Sequence, residues 1–165
     1  MYLCPVSESI ALEPGMDKTQ RYEALLTQVY ALVEGEKDWI ACTSNILAAL
    51  KDGMNFFWIG VYRVTGGELL LGPFQGPVAC IRIGFGKGVC GTAWKENRTL
   101  VVPDVDQFPG HIACSELSKS EIVVPIRKNG VVEMVLDIDS TERATFDDTD
   151  ARYLEKISDL IARFI

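Results

Sequence analysis

The chain has a single histidine, His111, and none of its cysteines are paired at C-x2-C spacing. Zinc modules are usually built on such knuckles, so the sequence offers little footing for one. No apolar run approaches the about 18 residues of a membrane span. The opening stretch MYLCPVSESIALEPG has neither a basic n-region nor a continuous apolar h-region, and no signal peptide is expected. Cations are in the minority: 16 Lys and Arg against 23 Asp and Glu leave a net charge of −7. That balance argues against nucleic acid or an anionic membrane as partner, since both call for basic patches. It suits a cationic or zwitterionic small ligand. The cysteine count is five, an odd number, which argues against a closed disulfide framework. The expected location is the cytoplasm, where persistent structural disulfides are unusual. There is no internal repeat, low-complexity tract or linker.

What is present fits one globular unit. Hydrophobic residues make up 48% of 165 residues and charged residues 24%. Residues 1–15 read as an N-terminal tail and 16–165 as a single domain. Asp17 opens a helical pattern with Tyr22, Leu25, Leu26, Val29, Leu32 and Val33 on one stripe, stopped near Gly35. A second helix is predicted from Asp38 to about Leu50. Its small apolar face comprises Ile40, Ala41, Ser44, Leu47 and Ala48, and Gly53 ends it. Asn55 to Val64 is aromatic and β-branched, as in a strand buried on both faces. Thr65-Gly66-Gly67 marks a hairpin, Glu68 to Leu71 the return strand, and Pro73 and Pro77 a loop. Cys80 to Ile83 is expected as a third strand, Val89 to Glu96 as a short helix, and Leu100 to Pro103 as a short strand. Asp104 to Ser120 reads as a long loop, a length that implies a task. Strands Ile122–Arg127 and Val131–Ile138 are joined by Lys128-Asn129-Gly130, and an amphipathic helix follows Asp147. The class is α+β, one antiparallel sheet covered by helices.

The chemistry concentrates between Cys80 and Glu121, which hold Cys80, Cys90, Cys114 and His111. Period-2 alternation puts Val132, Met134, Leu136 and Ile138 on one face of the last strand and Glu133, Val135, Asp137 and Asp139 on the other. Glu121, Val123 and Pro125 alternate with Ile122, Val124 and Ile126. Trp58, Gly60 and Tyr62 share a face of the first strand. An aromatic wall plus carboxylates under a cysteine-bearing loop describes a small polar pocket.

Each feature also has a plainer reading. Asp137 and Asp139 fit solvated turn residues equally well. Trp58 and Tyr62 fit a core. Cys42 fits a buried small hydrophobe, Cys4 a tail residue without a role, and His111 a hydrogen-bonded loop residue. The thiols allow two chemistries. One is a Cys3His zinc site from Cys80, Cys90, His111 and Cys114, against which the spacing argues. The other is redox, one thiolate attacking and another resolving. Cys90 lies at the start of the predicted short helix, where the helix dipole favours a thiolate.

The segments FFWIGVY, GPFQGPVACIRI, GKGVCGTAW, PGHIACSE, SEIVVPI and VLDIDS occur in that order and resemble the free methionine-(R)-sulfoxide reductases, which are stand-alone GAF domains. The resemblance covers about residues 17 to 160. It departs at Glu133-Met134, where smaller residues are expected. It implies a six-stranded antiparallel sheet with helices on one face and a ligand pocket on the other. By matching motif it implies Cys114 as nucleophile, Cys80 as the main resolving cysteine and Cys90 as a third thiol in recycling. Glu121, Asp137 and Asp139 match the acids that hold the sulfoxide and ammonium groups, and Trp58 and Tyr62 the wall at the methyl end. The implied substrate is free L-methionine-(R)-sulfoxide, reduced without metal or organic cofactor, with thioredoxin as reductant. The oligomeric state is left open, a homodimer among the arrangements to test. Two other readings stand beside this one: a GAF small-ligand sensor, and a zinc-stabilised interaction domain.

Overall fold

The computed structural model describes residues 10–112 and 114–165. Cys4, read as having no role, lies outside the described residues. Helices α1 (Lys18–Leu32) and α2 (Trp39–Met54) precede strands β1 (Trp58–Thr65), β2 (Glu68–Gln75) and β3 (Arg82–Gly84). Helix α3 (Gly88–Glu96), β4 (Leu100–Val102) and a 3-10 turn at Val105–Gln107 follow, then β5 (Ser120–Lys128), β6 (Val131–Ser140) and α4 (Asp148–Ile161). The six strands form one antiparallel sheet in the order β3-β2-β1-β6-β5-β4.

Local chemistry fixes the ends of these elements. Asp17 and Gln20 close a capping box on α1, and Asp147 and Asp150 close one on α4. Asp38 caps α2 by accepting from the Ala41 N–H. Gly53 does not end α2 as expected. It is buried inside the helix against Leu25, and Asn55 ends the helix in the left-handed region at φ 58°. The β5–β6 turn places Asn129 and Gly130 at φ 54° and 82°, as a two-residue hairpin requires.

One face of the sheet carries Ile59, Val61, Ile122, Val124, Ile126, Met134, Leu136 and Ile138 and is covered by α1, α2 and α4. Burying such residues contributes about 1.5–3 kcal/mol each. The face of α2 differs from the expected one. Ile40, Ala41 and Ala48 are exposed, and Cys42, Ile46, Leu47, Ala49 and Leu50 are buried. Lys18 ties α1 to α4 through Asp147 at 2.8 Å and the buried Asp150 at 2.5 Å.

The opposite face carries Trp58, Tyr62, Val123 and Val135, packed against α3. So three helices cover one face, and α3 shares the other with the loops around the thiols. Val132 also belongs to this second face, contrary to strict alternation. Between Ile126↔Met134 and Arg127↔Val132 the register slips at Glu133, and one extra residue inverts the alternation. Glu133 itself is exposed. A second irregularity explains Pro73. β2 runs through it to Gln75, with Gly72 and Pro73 together opposite Val61, so proline occupies a bulge and not the expected loop.

Candidate active site

The site grows from the centre of the sheet. β1, β5 and β6 lie side by side, with Glu121 opposite Asp139, Trp58 opposite Asp139, and Gly60 opposite Asp137. The alternation read from sequence therefore puts Glu121, Asp137, Asp139, Trp58 and Tyr62 on one face. Gly60 has no side chain, and the Trp58 ring and Phe74 lie over it, where a Cβ would clash. Glu121 and Asp137 are each 6% exposed, too little for Asp137 to be a solvated turn residue, and Asp139 is half-buried.

Trp58 stacks on Tyr62 at 6.2 Å between ring centroids and on Phe74 at 5.6 Å. Their polar tips have a separate task. Trp58 Nε1 donates to the Pro77 carbonyl at 3.0 Å, and Tyr62 Oη to the Cys80 carbonyl at 3.1 Å. Both rings thus pin the segment that delivers Cys80. That segment is a loop ahead of β3, not the start of the strand.

Cys80 and Cys114 are joined in a disulfide, their Cα atoms 5.4 Å apart across 34 residues of sequence. Both are partly exposed. The pairing removes two of the four donors from the Cys3His zinc set. The donors brought together are instead Cys90, Glu121 and Asp137, whose ligand atoms lie within 4.8 Å of one another.

Cys90 sits in the first turn of α3. Gly91 lets that turn pack against the preceding loop, since a Cβ there would lie 2.3 Å from the Gly84 carbonyl oxygen. The thiol is buried and donates to Glu121 Oε1 at 3.8 Å. Burial, then the negative Asp137 and Glu121, push its pKa well above the usual thiol value. The expected helix-dipole thiolate is therefore overturned: removal from water beside two acids outweighs one turn of dipole.

The acids are shifted in the same sense. Burial first, then Asp137 and Asp139, raise Glu121 well above the carboxylate range. Burial and Asp139 do the same to Asp137, and burial lifts Asp139 to about 6 against a hydrogen bond with Ser118. Charges this close cannot all ionise together, so the cluster holds protons at neutral pH. Asp137 Oδ1 is buried without a hydrogen-bond partner.

Two small cavities meet here. One of about 30 Å3 is lined by Cys90, His111, Glu121 and Asp137, the other of about 20 Å3 by Trp58, Tyr62, Val78 and Ala79. Cys114, Ser115, Ser118, Asp137 and Asp139 line both, so the Cys114 segment stands at their junction. Larger clefts of about 190 and 400 Å3 lie elsewhere, but neither is lined by a thiol. Sequence reasoning gave His111 a loop role or a place in the Cys3His zinc set. Its Nε2 lies 3.9 Å from Glu121 Oε2, and burial lowers its pKa, so it faces the acid as a neutral ring. Ser115 and the buried Ser118 were missed altogether. Their position between Cys114 and Glu121 was the available signal.

The GAF domain family model matches residues 37–165. The chain is 52% identical to GAF domain-containing protein A of Dictyostelium discoideum over 157 residues, covering 94% of this chain and 99% of that protein. It is 42% identical to the free methionine-R-sulfoxide reductase of Saccharomyces cerevisiae over 164 residues, covering 94% and 91%. Among solved structures, the free methionine-R-sulfoxide reductase of Neisseria meningitidis in complex with its substrate superposes with a TM-score of 0.90 at 48% identity, covering 94% of this chain and 95% of that one.

Proposed function

Because the chain belongs to the free methionine-R-sulfoxide reductase family of GAF domains, we propose that it is an oxidoreductase that reduces free L-methionine-(R)-sulfoxide to methionine. The observation that carries this reading is the Cys80–Cys114 disulfide at the mouth of a pocket lined by buried, protonated acids. A GAF sensor needs a pocket, but it does not need a redox pair at the mouth.

The proposed chemistry uses each group once. Cys114 attacks the sulfoxide sulfur as a thiolate, and an acid of the cluster gives a proton to the sulfoxide oxygen. Glu121 suits this donor role because its raised pKa keeps it protonated at neutral pH. The sulfur–oxygen bond breaks and the oxygen leaves as water, which leaves Cys114 bonded to the methionine sulfur as a sulfonium. A water then attacks the Cys114 sulfur and loses a proton, the sulfur–sulfur bond breaks, methionine leaves, and Cys114 becomes a sulfenic acid. The Cys80 thiol condenses with it, forming the sulfur–sulfur bond and releasing water. A dithiol protein of the thioredoxin type, in the cytoplasm, then takes up the disulfide by thiol exchange. Cys90, whose pKa is raised, is unsuited to be the first nucleophile and is left a part in recycling.

Selectivity follows from three fixed points. Asp137 and Asp139 hold the ammonium group, Trp58 and Tyr62 wall the methyl end, and the acid meets the oxygen. A peptide-bound residue lacks the ammonium and strands the buried acids, at a cost of about 1–3 kcal/mol. The test is a competition among free R, free S and N-acetylated R sulfoxides. Preference for free R by at least about tenfold is expected. Comparable rates with the acetylated compound would refute the ammonium site, and comparable rates with S the three-point arrangement.

A further inference from the structure

Cys90 stands outside the disulfide, buried, with its sulfur among carboxylate oxygens. The ligand atoms of Cys90, Glu121 and Asp137 lie within 4.8 Å of one another, and Cys90 Sγ is 3.8 Å from Glu121 Oε1. Two donors on one tetrahedral zinc, sulfur at about 2.3 Å and oxygen at about 2.0 Å, stand roughly 3.5 Å apart. The observed pair is within a few tenths of an ångström of that spacing. His111 Nε2 lies 3.9 Å from the other oxygen of Glu121, outside this group of three. Asp137, 6% exposed, lines this cavity, and its Oδ1 is buried without a hydrogen-bond partner. Among the described residues, no lysine or arginine forms an ion pair with Glu121 or Asp137.

We propose that Cys90, Glu121 and Asp137 form a three-donor binding site for a thiophilic divalent cation of the zinc class. One sulfur with two carboxylate oxygens suits a borderline-soft ion. Magnesium and calcium, which prefer oxygen alone, are poor matches. On binding, the Cys90 thiol and the protonated acids Glu121 and Asp137 give up their protons to solvent, and their sulfur and oxygens bond the metal with no change of oxidation state. The cavity of about 30 Å3 is of the order of one water's share of liquid volume, room for an ion but not for an amino acid. The three donors converge while Cys80 and Cys114 are joined in the disulfide. If the sulfoxide binds where proposed above, metal and substrate exclude each other and zinc is a competitive inhibitor. That last clause rests on the proposed function, whereas the metal site itself does not.

The experiment uses full-length Cys4→Ser, Cys42→Ser protein with the Cys80–Cys114 disulfide intact, in which Cys90 is the only thiol left. Titration with Co2+ is expected to give one thiolate-to-metal charge-transfer band that saturates at one ion per chain and is bleached by Zn2+. Adding Cys90→Ser should abolish the band. Asp137→Asn, which keeps the thiol, should weaken Co2+ at least about tenfold. Absence of the band, or its persistence after Cys90→Ser, overturns the site. Sulfoxide reduction assayed on reduced wild-type protein reads the other claim separately. Activity without the band overturns the metal site alone. A band that methionine sulfoxide fails to displace from reduced protein overturns the shared position.

Discussion

The Cys90 thiol faces Glu121 Oε1 at 3.8 Å, and both side chains are buried among further acids. The most deeply placed thiol of the site thus donates to an acid whose own pKa is raised. The arrangement is expensive for folding, because burial and mutual repulsion raise the pKa of Glu121 and Asp137 above their unfolded values. A raised carboxyl binds more protons folded than unfolded, so stability falls as pH rises from about 4 toward the folded pKa.

Asp137→Asn removes one of these acids. It is expected to stabilise the fold by about 1 kcal/mol at pH 7.5, with a smaller gain at pH 5. Urea denaturation at both pH values measures this. His111, whose lowered pKa works in the opposite sense across this range, is present in both proteins and cancels. The depressed Asp147, at about 2, titrates below the range. The same variant should lose at least about tenfold in kcat/KM, since the ammonium partner is gone. A variant less stable than wild type at pH 7.5 would contradict the protonated, strained cluster.

The disulfide form should bind free methionine poorly. Its two cavities of about 30 and 20 Å3 have room for a water or two, not for an amino acid. Cys114→Ser, which cannot form the bond, should bind at least about tenfold more tightly by calorimetry. Equal affinities would show that the Cys114 segment does not control the room in the pocket.

Gly60→Ala tests the aromatic wall. The added Cβ would sit 2.3 Å from Trp58 Cη2 and 2.6 Å from Phe74 Cβ, so the ring must move. Moving it breaks the Trp58 Nε1 bond to Pro77 and loosens the Cys80 loop. A loss of about 1–3 kcal/mol in stability is expected. Steady-state assays should show a raised KM together with slower disulfide formation after one turnover. An unchanged KM would remove Trp58 from the substrate wall.

Much of this arrangement is legible in the sequence because it follows local rules. Period 2 on β5 and β6 puts Glu121, Asp137 and Asp139 on one face, and that face is the observed one. The turns at Gly66-Gly67 and Asn129-Gly130 are written in their residue types. Failures begin where a neighbour decides. The bulge at Glu133 inverts Val132, and nothing in the alternation announces it. The face of α2 is set by packing on the sheet, so Ile40 stays exposed while Cys42 and Ala49 are buried. Cys90 was read from its helix turn alone. Its pKa is governed by acids 31 and 47 residues away in sequence, brought alongside only by folding.

The most direct measurement is one turnover by fully reduced protein, given free L-methionine-(R)-sulfoxide with no added reductant. Methionine formed, thiols lost and the cysteines joined are all quantified. Close to one methionine per chain is expected, with two thiols lost for each and peptide mapping that finds Cys80 joined to Cys114. Cys80→Ser should still release close to one methionine, and Cys114→Ser none. Methionine release at the wild-type rate from Cys114→Ser, or oxidation mapped mainly to Cys4 or Cys42, would contradict the assignment of the site.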